Sequence, residues 1–187
     1  MKKHKAIRFF VIILFLVLQT VFLTMIVKEK YDTGAIDIAL ITLAITCIMW
    51  FAYKELDLHH EKHAYDKLLV VVWVPIGALA CYALNIYAGL GSVISASTVG
   101  TIASFVPIIN KSSSYLKKLP AVIYCGTFIG MSSTEIAPSI GFVLSAGIFA
   151  GVLLLLSKNL FLGIGGKLGT IAFAGVVIAS LIYWILK

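Results

Sequence analysis

The sequence predicts an all-α fold, a polytopic transmembrane helical bundle of seven spans. Hydrophobic residues make up 61% of the 187 residues, mean hydropathy is +1.06, and only 12% of the residues are charged. Soluble domains carry roughly 25% charged residues. The apolar runs are each about as long as a bilayer core requires, roughly 20 residues, and basic residues concentrate in alternate breaks between them. These observations exclude a water-soluble fold.

The predicted spans leave no stretch long enough for a soluble domain. They cover residues 8–28, 36–53, 68–88, 91–109, 121–137, 139–157 and 169–186. We therefore expect residues 1–187 to form a single transmembrane domain. Within it, residues 1–34 supply an N-terminal helix, and 35–110 and 120–187 form two halves.

The first span is predicted to be an uncleaved helix. A basic stretch, Met1 to Lys5, precedes an apolar run from Phe9 to Val27. This run is longer than the apolar region of a signal peptide, and no small-x-small cleavage site follows it.

Charge predicts the orientation of the chain. With the N-terminus in the cytoplasm, three basic residues lie outside: Lys28, Lys30 and Lys187. Twelve lie inside: Lys2, Lys3, Lys5, Arg8, Lys54, Lys62, Lys67, Lys111, Lys117, Lys118, Lys158 and Lys167. Basic loops stay on the cytoplasmic side, which predicts a multi-pass membrane protein with its N-terminus in the cytoplasm. The net charge of +7 would face anionic membrane lipid, and no nucleic-acid partner is predicted.

The fifth span, 121–137, is the weakest, because it is short and carries Glu135 near its end. Six spans with a broken fifth segment are the alternative. A re-entrant hairpin at this position would move Lys158 and Lys167 outside, so the distribution of charge favours seven spans.

A cytoplasmic hinge, residues 54–67, is the only strongly charged internal segment. Its Glu61 and Lys62 are candidates for docking a cytosolic partner protein, as are Lys117 and Lys118 in the next inside loop. His59 and His63 have the i, i+4 spacing of zinc ligands. A solvated helix of mixed charge explains the segment without a metal, and we predict no metal site.

Glycine pairs at i, i+4 spacing predict close helix contacts. Gly126 and Gly130 form one pair, and Gly147 and Gly151 form another. Small residues at this spacing let helices approach in lipid. They indicate packing within the chain, and a homo-oligomer interface is the alternative.

Two similar glycine breaks suggest an internal repeat. Gly89-Leu90-Gly91-Ser92 closes one span, and Gly163-Ile164-Gly165-Gly166 closes another. Gly-Thr-Ile-Ala follows each break, at 100–103 and at 169–172. The predicted relation is a 3+3 inverted repeat of spans 2–4 and 5–7. The spacings differ, so chance recurrence is the alternative.

The segment Gly126-Thr127-Phe128-Ile129-Gly130, followed by Leu144-Ser145-Ala146-Gly147-Ile148-Phe149-Ala150-Gly151, carries a family resemblance. It resembles the C-terminal half of a group of small uncharacterised bacterial polytopic inner-membrane proteins. The resemblance implies a compact helical bundle in a bacterial inner membrane. It assigns no functional residue.

Polar residues within the spans are almost all neutral. The absence of a central charged group argues against a proton pump and against an intramembrane enzyme, so no catalytic residue or cofactor is predicted. Candidate solute-lining residues are Asn85, Ser95, Thr98 and Thr127. We expect a small transporter or channel for a neutral or anionic solute. The alternative is an oligomeric membrane sensor, anchor or effector subunit that works with a cytosolic partner.

Overall fold

The computed structural model describes residues 2–32, 34, 36–55, 68–157 and 166–186, which are helical or lie in turns and short connections, with no strand among them. The chain divides into two compact units. Unit 1 comprises 1–64 with 159–163, and unit 2 comprises 65–158 with 164–187. Most of the predicted hinge 54–67, including Glu61 and Lys62, lies outside the described residues.

Unit 1 contains a helical hairpin. Helix α1 (Lys2–Asp32) and helix α2 (Ile36–Glu55) are joined by a turn at Gly34, whose φ of 75° favours glycine. Between the helices, the indole Nε1–H of Trp50 donates to Thr20 Oγ1 at 3.2 Å.

The hairpin exposes apolar side chains on many sides. Phe9, Phe10 and Met25 are each more than 60% exposed, whereas Val11 and Phe15 are buried. A helix that is apolar all round is typical of a buried or membrane-spanning helix. The hairpin surface is therefore suited to lipid rather than water.

Unit 2 is an up-and-down series of helices. Its elements are α3 (Leu68–Val71), α4 (Trp73–Tyr82), a π-helical segment (Ala83–Tyr87), α5 (Ser92–Ile109), a 3-10 turn (Leu116–Lys118), α6 (Leu119–Gly130), α7 (Ile140–Leu156) and α8 (Lys167–Leu186).

Four helical segments in the described parts of the chain are long and apolar enough to cross a membrane: Phe9–Lys28, Leu68–Tyr87, Ser92–Ile109 and Lys167–Leu186. Two apolar helices are shorter, Ile36–Ile48 and Ile140–Leu156. The protein is thus all-helical with several membrane-compatible helices. The count of seven spans stays a prediction, because four of the described helices have the length and hydropathy of a membrane span. The inverted repeat also stays a prediction, because residues 163–165 of its second glycine break lie outside the described residues.

Helix α6 lies at the centre of unit 2, against α4, α5, α7 and α8. Glycine permits its close approach to α4. A Cβ atom on Gly126 would collide with the carbonyl oxygen of Val74, and one on Gly130 would lie 2.5 Å from the carbonyl oxygen of Ala78. Residue numbers rise together along this contact, so α4 and α6 run in the same direction.

Helix α7 runs in the opposite direction. A Cβ on Gly147 would lie 2.7 Å from Pro75 Cα, and one on Gly151 would lie 2.8 Å from Val71 Cγ1. All four glycines predicted to pack helices therefore lie against backbone or side-chain atoms of their own unit. Whether such glycines also join two copies of the chain stays a prediction.

The fifth predicted span, 121–137, is helical only as far as Gly130. The twelve residues of α6 extend about 18 Å at 1.5 Å per residue. Ser132, Ser133 and Thr134 follow, and such hydroxyl side chains compete for backbone hydrogen bonds and disfavour helix. Residues 131–139, which we call the strap, connect α6 to α7 without helix.

Candidate functional site

A groove of about 610 Å³ runs along unit 2 between α5, α6 and α8. Its lining residues are Ser97, Gly100, Thr101, Ser104, Pro120, Ala121, Tyr124 and Leu168. Ser97, Thr101 and Ser104 have i, i+4, i+7 spacing, which places their hydroxyls on one helix face. We call this cavity the α5 groove.

Two hydroxyl groups in the α5 groove are available to a ligand. Ser97 donates to the carbonyl of Val93 at 2.8 Å, and Ser104 donates to that of Thr101 at 2.6 Å. The side-chain hydroxyls of Thr101 and Tyr124 have no hydrogen-bond partner within the described residues, and both side chains are exposed. A hydroxyl donates one hydrogen bond and accepts others, so this pair suits a neutral polar molecule.

Gly100 sets the width of the α5 groove beside Tyr124. A Cβ atom at Gly100 would lie 3.0 Å from Tyr124 Cδ2. The Tyr124 ring also makes an edge contact with Phe128, with ring centroids 4.9 Å apart. The glycine therefore lets the aromatic ring lie flush against α5.

A second depression, of about 410 Å³, continues along α5 toward its N-terminal end. It is lined by Val93, Ile94, Ser97, Thr98, Thr101 and Ile102. Thr98 donates to the carbonyl of Ile94 at 2.8 Å and keeps acceptor capacity toward the depression. The two cavities share Ser97 and Thr101 and together follow most of α5.

The structure does not bring the four predicted lining residues together. Thr98 lies on the α5 surface, but Ser95 and Thr127 are fully buried. Ser95 donates to the carbonyl of Gly91 and Thr127 to that of Tyr124. These two hydroxyls serve their own helices, and their proposed contact with a solute remains a prediction.

The fourth residue, Asn85, lies near the C-terminal end of α6. Its Nδ2 donates to the carbonyl of Gly130 at 3.2 Å and, more weakly, to that of Ser132 at 3.5 Å. Asn85 thus satisfies the Gly130 carbonyl, which the end of α6 leaves without an intrahelical partner.

The two ends of unit 2 differ in charge. Lys111, Lys117, Lys118 and Lys167 lie at one end, and Glu135 is the only charged residue of unit 2 outside that end in the described segments. Lys167 Nζ donates to the carbonyl of Ser157 at the C-terminus of α7, where a helix dipole favours positive charge. Lys111 and Lys117 are exposed.

Thr101 and Tyr124 were not singled out from the other neutral polar residues of the predicted spans. The spacing of Ser97, Thr101 and Ser104 was the available signal, since it marks one face of α5. Tyr124 carried no signal of its own, because its proximity to α5 arises from tertiary packing at Gly100.

The class of protein follows from this architecture: an all-helical protein with membrane-compatible helices and a laterally placed, hydroxyl-bearing groove. Within the described residues, no three His, Cys, Asp or Glu side chains come together as a metal site. Comparisons with family models, curated proteins and solved structures found no match to the chain.

Proposed function

We propose that the protein is a small multi-pass transporter or channel of the bacterial inner membrane, with its N-terminus in the cytoplasm, for a neutral or anionic solute. The observation that carries the proposal is the α5 groove. A groove that carries four hydroxyl side chains, on helices that otherwise present apolar surfaces, suits the passage of a small solute, because lipid offers no hydrogen-bond partner.

The chemistry of the groove favours a solute that both donates and accepts hydrogen bonds. Thr101 and Tyr124 offer hydroxyls that can do either, while Ser97 and Ser104 retain acceptor lone pairs. Among the described residues, no charged side chain lines the groove. A polar alcohol or amide is therefore the first class of solute to test.

An anion is the second class. The groove includes Pro120 and Leu168, which follow Lys118 and Lys167 closely in the chain. Basic residues at the mouth of a path raise the local concentration of anions. Small inorganic anions should then enter from the lysine-bearing end.

The proposal is tested by reconstituting the full chain into liposomes. Light scattering reports uptake of urea or glycerol, and an anion-sensitive dye reports uptake of chloride. We expect flux above that of empty liposomes for at least one class, reduced in Tyr124→Phe. Thr24→Val, on an exposed hydroxyl of α1, is the matched control. Permeability equal to empty liposomes for both classes would contradict the proposal.

A sensor, anchor or effector subunit is the second candidate. It is favoured by the exposed Lys111 and Lys117, which lie at an end of unit 2 whose described residues include no acidic side chain. An acidic cytosolic protein would complement this surface. Gentle purification from the native host, followed by measurement of complex mass, separates the candidates. A stoichiometric partner lost in Lys117→Glu would favour docking, whereas a homo-oligomer alone would favour transport.

A further inference from the structure

The strap differs from the rest of unit 2 in how little holds it in place. Ser133, Thr134, Glu135, Ile136, Pro138 and Ser139 are exposed. Ala137 is the single buried residue between 133 and 139, with no exposed surface. Segments with few buried contacts open at low free-energy cost.

One hydrogen bond fastens the middle of the strap to α4. The hydroxyl of Tyr82, which is itself buried, donates to the carbonyl of Ala137 at 2.8 Å. The strap also contains its own turn, in which the carbonyl of Ser133 accepts from the amides of Ile136 and Ala137. Release of the Tyr82 bond would therefore leave the internal turn intact.

The two ends of the strap are fixed. A Cβ atom on Gly130 would lie 2.6 Å from Cys81 Cβ, so the glycine allows close packing against α4. The Gly130 carbonyl also accepts a hydrogen bond from Asn85. At the other end, Ser139 caps α7 by accepting from the amide of Phe142 at 3.2 Å. An opening of the strap would thus be confined to residues 133–138, between two anchored points.

We infer that residues 133–138 open and close as one unit, latched by the Tyr82–Ala137 hydrogen bond, at the end of unit 2 opposite the lysines. The N-terminal end of α5 follows the π-helical segment after only residues 88–91, so it lies at this same end. The second depression extends toward it along α5. Regulation of solute passage by the strap, at the N-terminal end of α5, rests on the proposed transport function.

Cysteine labelling measures the opening directly. Cys47, Cys81 and Cys125 are replaced by alanine, and Ala137→Cys is added as the reporter. The purified protein in lipid nanodiscs, with both faces accessible, is treated with a water-soluble maleimide. Slow labelling of Ala137→Cys compared with exposed Ser133→Cys is expected. Equal rates in the parent would overturn the inference, because the strap would then not be closed.

The latch is tested with Tyr82→Phe, which removes only the hydroxyl. We expect the labelling rate of Ala137→Cys to rise about five-fold, the effect of one hydrogen bond. Tyr87→Phe is the matched control and should leave the rate within about two-fold, since Tyr87 is exposed. An unchanged rate in Tyr82→Phe, with normal gel filtration, would overturn the inference.

Solute flux in liposomes is a separate readout. Raised labelling in Tyr82→Phe with no flux in any variant would remove the transport proposal and leave the opening of the strap supported. Flux in the parent, with labelling unaffected by Tyr82→Phe, would overturn the strap inference alone.

Discussion

Helices α5 and α6 lie side by side, and one threonine on each helix shows how differently two hydroxyl groups are placed. Thr127 of α6 has no exposed surface and bonds to its own helix, whereas Thr101 of α5 is exposed and without a partner in the described structure. Helix α6 contacts four other helices, so its small residues lie in helix–helix contacts. The comparison teaches that a threonine hydroxyl is taken up by its own helix at the centre of unit 2, whereas one at the periphery stays available to a ligand.

The largest expected effect tests the packing role of α6. Gly126→Leu would force a side chain against Val74 and Ala78. Overpacking costs typically about 1–3 kcal/mol and more against backbone atoms, so we expect loss of monodisperse protein on gel filtration. Gly169→Leu on α8 is the control, because a Cβ there meets no atom within 4 Å. Equal behaviour of the two variants would contradict the central position of α6.

The next effect tests the groove side of the comparison. Thr101→Val with Tyr124→Phe removes both unpartnered hydroxyls and preserves side-chain volume. We expect solute flux to fall about thirty-fold, because each of the two lost hydrogen bonds contributes about 1 kcal/mol. Thermal unfolding in detergent should be unchanged. A shift in unfolding temperature without a change in flux would assign these hydroxyls to structure instead.

Thr127→Val should give the reverse result. Its hydroxyl is buried and donates to the carbonyl of Tyr124 at 2.8 Å. We expect a loss of about 1 kcal/mol in unfolding free energy, with flux retained once the protein is folded. Thr98→Val, on the exposed side of α5, is the partner variant and should leave stability unchanged.

The smallest effect concerns Gly100. Alanine at this position places Cβ 3.0 Å from the Tyr124 ring edge, and the exposed ring can shift to relieve the contact. We therefore expect stability to change by less than about 0.5 kcal/mol. Flux should fall several-fold, because the displaced ring narrows the α5 groove. Unaltered flux would show that Tyr124 does not form a wall of the route that the solute takes along the α5 groove.

The sequence predicted much of the fold and little of the site. Hydropathy and run length predicted an all-α membrane protein, because the bilayer imposes a helix length and apolar composition. They also predicted most helix boundaries within a few residues, as at 92–109 against the expected 91–109. The end of α6 at Gly130 matches only the alternative with a broken fifth segment, because the distribution of basic residues favoured seven full spans over the local signal of Ser132, Ser133 and Thr134.

The hydrogen-bond partners of the polar groups could not be predicted from the sequence, for a physical reason. Asn85 bonds across 45 residues to Gly130, and Tyr82 bonds across 55 residues to Ala137. Such partners depend on how α4 packs against α6 and the strap. Residue type and spacing identify hydroxyls but not which helix will cover them.

The most direct test of the proposed function is a thiol block of the α5 groove. Thr101→Cys, in a background with the three native cysteines replaced by alanine, is reconstituted and treated with a small charged methanethiosulfonate reagent. Thr24→Cys on α1 is treated in parallel. The account predicts that modification lowers solute flux at least ten-fold at Thr101→Cys and leaves Thr24→Cys unaffected. Full flux through completely modified Thr101→Cys protein would contradict the claim that solute passes along this groove.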